Sequence, residues 1–234
     1  MRDLRGDLAD LWRTLSRTSS AAGGRVALFL GARSGDGVSS MAASFSLLAA
    51  EKSNRPVWLF DLDLARNSQL GAFEAGLLGP AAPRPGRAVD GGLGQPAFYS
   101  VTPTHAASDG RIVEPRLLAL HQLGQTNLYV SAFRNDRLRP GQRVRVRTQP
   151  AYWRSVRSVV DWCVIDAPAL ERSGAGLVVA SQVDAVILVI NADDTPAEDA
   201  RALKKEVEAH GGRVTGFVLN RAQRDARFLD RLLG

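Results

Sequence analysis

Apolar residues fall into two rhythms along this chain. Leu4, Leu8, Leu11, Trp12 and Leu15 stand at i, i+4, i+7, i+8 and i+11. This single stripe at the helical period predicts an amphipathic helix over residues 1–20. The small residues at 18–24 end it. Beyond them the rhythm changes to short continuous apolar runs at 26–30, 57–60, 127–132, 163–165, 183–190 and 214–219, the pattern of strands covered on both faces. Between the runs, helices are predicted over 40–52, 68–78, 115–122, 151–161, 195–210 and 222–233. The one ending at His210 opens on Thr195-Pro196 with Glu198 and Asp199 behind, and closes at Gly211-Gly212. These are a cap, a proline in the first turn, acids at the positive end of the dipole and a glycine stop. Residues 79–96 hold nine glycines and prolines and read as a loop.

Strands alternating with helices imply an α/β fold, a doubly wound and mostly parallel sheet with helices on both faces. Ligands of such sheets bind outside the carboxyl ends of the strands. The expected organisation is a leading helix and linker over 1–24 and one domain over 25–234. The 234 residues are 45% hydrophobic and 23% charged, a globular composition. Cys163 is the single cysteine, so no intramolecular disulfide forms, and it begins an apolar run as a core residue does. No apolar run reaches the roughly 18 residues of a membrane span, and the first residues lack a signal peptide's apolar core. The expected location is cytoplasmic, with the inner face of the membrane as the place of any surface contact.

Charge changes this picture in one place. The net charge is +6, yet residues 134–157 carry eight arginines against one acid, Asp136. Arg143, Arg145 and Arg147 alternate with Val144 and Val146, which puts the arginines on one face of an extended stretch. Such a face is either simply solvated or binds acidic lipid head groups, anionic polysaccharide or an acidic tail. Few aromatics interleave, which argues against single-stranded nucleic acid. In the tail, Ala222, Ala226, Leu229, Leu232 and Leu233 lie beside Arg221, Arg224, Arg227 and Arg231. That helix is expected to dock on its own sheet, with a membrane-facing role as the alternative. The leading stripe has the same two readings and a subunit interface as a third.

Candidate chemistry stands just after the strands. The first enters Ala32-Arg33-Ser34-Gly35-Asp36-Gly37-Val38-Ser39-Ser40. Glycines there let backbone N–H groups turn inward around a phosphate, and the following helix offers its positive end. A hydroxyl for Mg²⁺ is available from Ser39 or Ser40, but Val38 stands where the phosphate-binding lysine is required. Asp61 and Asp63 follow the second strand, and Asp166, in Asp166-Ala167-Pro168, follows the strand at 163–165. Carboxylates at neighbouring strand tips are what a Mg²⁺–nucleotide site uses.

These blocks resemble the deviant P-loop ATPases of the MinD/ParA group, and within it the cytoplasmic domain of bacterial tyrosine kinases (BY-kinases) and polysaccharide-export regulators. The kinase loop A-K-P-G-E-G-K-S is similar to residues 32–39, and D-x-D-x-R to Asp61-Leu62-Asp63-Leu64-Ala65-Arg66, with the arginine displaced by one. I-I-D-x-P is similar to Val164-Ile165-Asp166-Ala167-Pro168. The likeness covers about residues 25–221 and is weakest across 79–126. It extends to an echo of the kinases' leading E-x-x-R-x-x-R in Asp10, Arg13 and Arg17, with the last spacing off by one. The resemblance implies ATP or ADP with Mg²⁺ as cofactor. Phosphate would be met by Arg33, Gly35, Asp36, Gly37, Val38, Ser39 and Ser40, and the metal by Ser39, Asp61, Asp63 and Asp166. Asn220 and Arg221 would lie on the nucleotide side, Asn220 by the base.

Two departures redirect the functional expectation. Without the loop lysine, a positive charge aimed at the transferring phosphoryl group is gone, and such catalysis is almost all positioning and electrostatics. The kinases' tyrosine tail is also missing, since the chain has only Tyr99, Tyr129 and Tyr152. The expectation is a degenerate regulator or scaffold of a membrane exopolysaccharide or capsule assembly and export complex, with weak or no ATP turnover. Its partners would be a membrane polysaccharide co-polymerase and further copies of itself. The alternatives are an active MinD/ParA-type ATPase using Arg33 for the lost charge, and a nucleic-acid binder using the arginine segment. No catalytic residue is assigned.

Overall fold

The computed structural model describes residues 1–17, 23–104 and 116–221. The helices are α1 (Ala9–Ser16), α2 (Val38–Lys52), α3 (Ser68–Glu74), α4 (Pro150–Val159), α5 (Ala175–Ala180) and α6 (Ala197–Ala209). The strands are β1 (Arg25–Gly31), β2 (Val57–Asp61), β3 (Pro85–Asp90), β4 (Tyr99–Thr102), β5 (Leu118–Leu123), β6 (Leu128–Phe133), β7 (Arg143–Val146), β8 (Trp162–Asp166), β9 (Ala185–Asn191) and β10 (Val214–Asn220). Eight of them form one sheet in the order β10-β9-β1-β8-β2-β6-β5-β3. The run from β10 to β6 is parallel throughout, as the continuous apolar stretches require. β4 and β7 form a separate antiparallel ribbon.

Both faces of the sheet are covered. On one, Phe60, Phe98, Tyr152 and Trp153 pack ring on ring, with Phe98 centred 5.2 Å from both Tyr152 and Trp153. On the other, α2 lies across β1 and β8 through Phe45, which meets Phe29 and Trp162. Leu4, Leu8 and Leu15 join this second core, so the leading segment is docked on α2. Helix α1 itself is shorter than the stripe predicts; Leu4 and Leu8 are buried ahead of it.

Three expectations change. Where a helix is expected over 115–122, residues 118–123 form β5, antiparallel to both β6 and β3. The presumed loop contains β3, an edge strand starting at Pro85. A proline is tolerated there because one side of the strand needs no hydrogen bonds. Thr195 does not cap α6; its hydroxyl is engaged by Asp36, and Pro196 occupies the cap position. The tail helix expected at 222–233 lies outside the described residues.

Candidate functional site

The carboxyl ends of β1, β2 and β8 meet at one edge, and the glycine turn lies over them. Asp61 and Asp166 are direct register partners across β2 and β8. After β8 the chain runs along the turn: Ala167 N–H donates to Phe29 O (3.1 Å) and Leu170 N–H to Gly31 O (2.9 Å). This carries Glu171 and Arg172 to the turn's rim. Arg33, Gly35, Asp36, Gly37, Val38, Ser39, Ser40, Asn220 and Arg221 all line one cavity of about 590 Å³, together with Arg172 and the leading residues Met1, Arg2 and Leu4.

The turn is held by Asp36, whose side chain is buried. Its Oδ2 accepts the Arg33 N–H (2.9 Å), and its Oδ1 accepts the Thr195 hydroxyl and the Asn191 N–H (3.4 Å). Asp36 therefore points down into the fold and shapes the turn from beneath. Asn220 completes the tie by donating from Nδ2 to the Asp36 carbonyl (2.9 Å). Gly37 is required here twice over. Its φ is +94°, and a Cβ would stand 2.1 Å from Asn220 Nδ2. Gly35, at φ +97°, faces open space. Val38 is nearly buried, its Cγ2 lying where a Cβ on Gly31 would meet it at 2.8 Å, and the little surface it keeps is an uncharged part of the cavity wall.

On the acidic side the three aspartates are near one another and differently engaged. Asp61 accepts the Asp63 N–H (2.8 Å), the Ser68 hydroxyl (2.9 Å) and the Gln69 N–H (3.0 Å), holding the start of α3. Burial raises its pKa, and those bonds oppose the rise. Asp63 pairs with Arg172 at 2.6 Å and, more loosely, with Arg66 at 3.9 Å. Asp166 is buried, and its Oδ2 accepts from Gln69 Nε2 (2.6 Å), which also donates to the Ser39 carbonyl (2.9 Å). Burial, with Asp61 beside it, pushes the Asp166 carboxyl up to about 7, while polar contacts from Gln69 and Ser39 hold it down. Among the described residues no three His, Cys, Asp or Glu side chains converge as a ready metal cluster.

Sequence reasoning missed Gln69, Glu171, Arg172 and Arg2. Glu171 accepts the Ser34 N–H of the turn (2.6 Å), and the Ser34 hydroxyl beside it, with that N–H, lowers its pKa. Arg33 is paired with Asp199 of α6 at 2.5 Å. Proximity to Asp166 in sequence was the one signal for Glu171 and Arg172; for Gln69 and Arg2 there was none.

The donors suit Mg²⁺ with a nucleotide on one side of the cavity. Asp166 Oδ1 and Gln69 Oε1 are both buried without a hydrogen-bond partner, an arrangement that costs stability until a proton or cation is supplied. The turn has two left-handed glycines ahead of a 15-residue helix, which suits phosphate oxygens. What is missing is the lysine.

No protein-family model matches the chain, and no curated protein matches it. Solved structures share its fold. The kinase domain of Escherichia coli tyrosine kinase ETK aligns with a TM-score of 0.57 at 14% identity, covering 94% of this chain and 76% of that one. The VpsO kinase domain gives 0.54 at 16% identity, covering 94% and 95%. The MinD cell division protein of Aquifex aeolicus gives 0.52 at 16% identity, covering 90% and 79%. The chain thus has the mostly parallel α/β fold of P-loop ATPases, as the resemblance to BY-kinase and MinD/ParA domains implies.

Proposed function

We propose that the protein is a nucleotide-binding regulator or scaffold with weak or no ATP turnover. The observation that carries this reading is the state of the cations around the turn. Val38 puts an uncharged side chain on the cavity wall, while Arg33 and Arg172, the arginines on the rim and on the acidic side, each hold a carboxylate of the same chain. ATP or ADP with Mg²⁺ would be held by the N–H groups of Gly37 through Ser40, those of Arg33, Ser34 and Asp36 being engaged within the protein, with the Ser39 hydroxyl and Asp166 on the metal side and Asn220 toward the base. Mg²⁺ supplies charge neutralisation between the terminal phosphates. The chain's own groups would position them.

The tyrosines support the same reading. Tyr152 is buried with its hydroxyl donating to Gly91 O (2.9 Å), and the Tyr99 hydroxyl accepts the Leu117 N–H (2.9 Å), so both are structural. The likeness in fold to the ETK and VpsO kinase domains supports a place beside a membrane exopolysaccharide or capsule assembly and export complex. The partners would be its membrane co-polymerase and other copies of this chain, with peripheral membrane contact through the arginine segment or the terminal helices. Nucleic acid is not among the proposed ligands.

Calorimetric titration of ATP–Mg²⁺ into the wild type and into Val38→Lys tests this. Weak binding without turnover in the wild type, strengthened in Val38→Lys, supports a decayed site. Robust hydrolysis by the wild type overturns it. One observation favours an active ATPase: the Arg33–Asp199 pair is solvent-exposed, so it costs little to open, which would free Arg33 for phosphate. Turnover abolished by both Arg33→Ala and Asp166→Ala would establish that reading.

A further inference from the structure

Four arginines line the cavity, and their partners divide them. Arg33 and Arg172 are engaged by Asp199 and Asp63. Arg2 and Arg221 are exposed, and the Arg2 guanidinium makes no hydrogen bond or ion pair among the described residues. Arg2 is also held in place by its own backbone. The Ser44 hydroxyl, buried within α2, accepts the Leu4 N–H (3.0 Å) and donates to the Arg2 carbonyl (3.3 Å). Leu4 and Leu8 are buried behind it, and Arg5 pairs with Glu51 at the far end of α2.

This anchorage fixes which part of the cavity Arg2 serves. Ser40 and Ser44 are one helical turn apart on the same face of α2, so the leading segment walls the cavity beside Ser40. Asp166 and Gln69 approach from the Ser39 carbonyl instead. In a phosphate turn of this type the metal-side aspartate marks the terminal phosphates, and the opposite wall faces the sugar-proximal ones. The charge of Arg2 therefore stands toward the other end of the polyphosphate from the place of the missing lysine.

Resting on the nucleotide-binding reading above, we infer that Arg2 is a nucleotide-binding residue that grips the sugar-proximal phosphates, so that the protein binds nucleoside di- and triphosphates alike. Such a site reports the presence of nucleotide and is indifferent to its hydrolysis. The terminal phosphoryl gains nothing from Val38, and Arg33 and Arg172 must leave carboxylates to reach it.

The test is calorimetric titration of ATP and ADP, each with Mg²⁺, into the wild type, Arg2→Ala, Arg2→Lys and Val38→Lys, with a thermal melt of each protein. Affinities for ATP and ADP within a few-fold of each other are expected in the wild type. Arg2→Ala should weaken both equally, by about ten- to a hundredfold for one charge-assisted contact, with Arg2→Lys recovering part of the loss. Because Arg2 is exposed, its variants should melt as the wild type does without ligand. Wild-type binding unchanged in Arg2→Ala, or a loss confined to ATP, overturns the inference and leaves the nucleotide reading standing. Binding seen only in Val38→Lys overturns both the inference and the nucleotide-binding reading of the wild type, since neither Arg2 nor the turn would then hold nucleotide. Absence of binding in every protein, Val38→Lys included, overturns both.

Discussion

Asp166 shows how much of this site depends on single residues. An ordinary aspartate loses its proton near pH 3.8, whereas here burial holds the proton to about 7. Between those values the folded chain keeps a proton that the unfolded chain has released. Stability of the ligand-free protein should therefore fall as pH rises through about 4 to 7, by at most about 1.4 kcal/mol per unit, and level off above. Asp61, shifted the same way, adds to the slope. Urea titrations across that range should show the slope in the wild type and much less of it in Asp166→Asn. A flat wild-type profile would mean that the carboxylate finds a cation or water that satisfies it. The aspartates and the glycine turn were legible in the sequence because they stand together: each alone is as readily a cap or a turn, as Asp61 is for α3, but three strand-tip acids in step with a glycine turn follow the rule that ligands bind at the carboxyl ends of strands. Gln69 was not, since a glutamine in an amphipathic stretch carries no mark of the two groups it bridges 30 and 97 positions away. Asp36 was legible as part of the turn, but the direction of its side chain was not, because its partners Thr195 and Asn191 arrive from β9 and the start of α6.

At the scale of elements, the parallel strands could be read because each is buried on both faces and so appears as an unbroken apolar run. β3 and β5 lie at the margin of the sheet, where one face or edge is open and the burial pattern is mixed. A composition rich in glycine and proline then looks like a loop, and Leu118-Ala119-Leu120 looks like helix. The stripe predicts the leading segment but leaves its destination open between self-docking, membrane and subunit contact. The structure places it on α2, through Leu4, Leu8 and Leu15. Leu8→Ala should cost about 2–5 kcal/mol in equilibrium unfolding, as expected of a leucine lost from a packed core. A change below about 0.5 kcal/mol, the range of surface positions, would show that the segment is not held there in solution.

The whole molecule carries its excess charge unevenly, and the fold sorts the arginines that the sequence lists together. Arg157 is mostly buried and pairs with Asp184 (3.0 Å), and Arg147 donates to the Ala97 carbonyl (2.9 Å), so both serve the fold. Arg143 and Arg145 project from β7 opposite Thr102 and Ser100 on the outer face of the ribbon, while Val144 and Val146 pack against the core. The period-two reading thus holds for Arg143 and Arg145, while Arg147, just past β7, is drawn into the fold. If its charged face meets anionic lipid, sedimentation with phosphatidylserine vesicles should be strong at low salt. It should decline as the Debye length shrinks to about 8 Å near physiological ionic strength, and Arg143→Glu with Arg145→Glu should abolish it. Equal sedimentation with neutral vesicles would exclude an electrostatic contact.

One consequence follows from the ties that Asp36 makes to Arg33, Thr195, Asn191 and, through its carbonyl, Asn220. The cradle is already set before anything enters it, so an arriving guest does not have to organise a floppy strap around itself. Capture should then proceed in a single fast phase whose rate scales linearly with guest concentration, and how long the guest stays will be decided by the grip of its contacts alone.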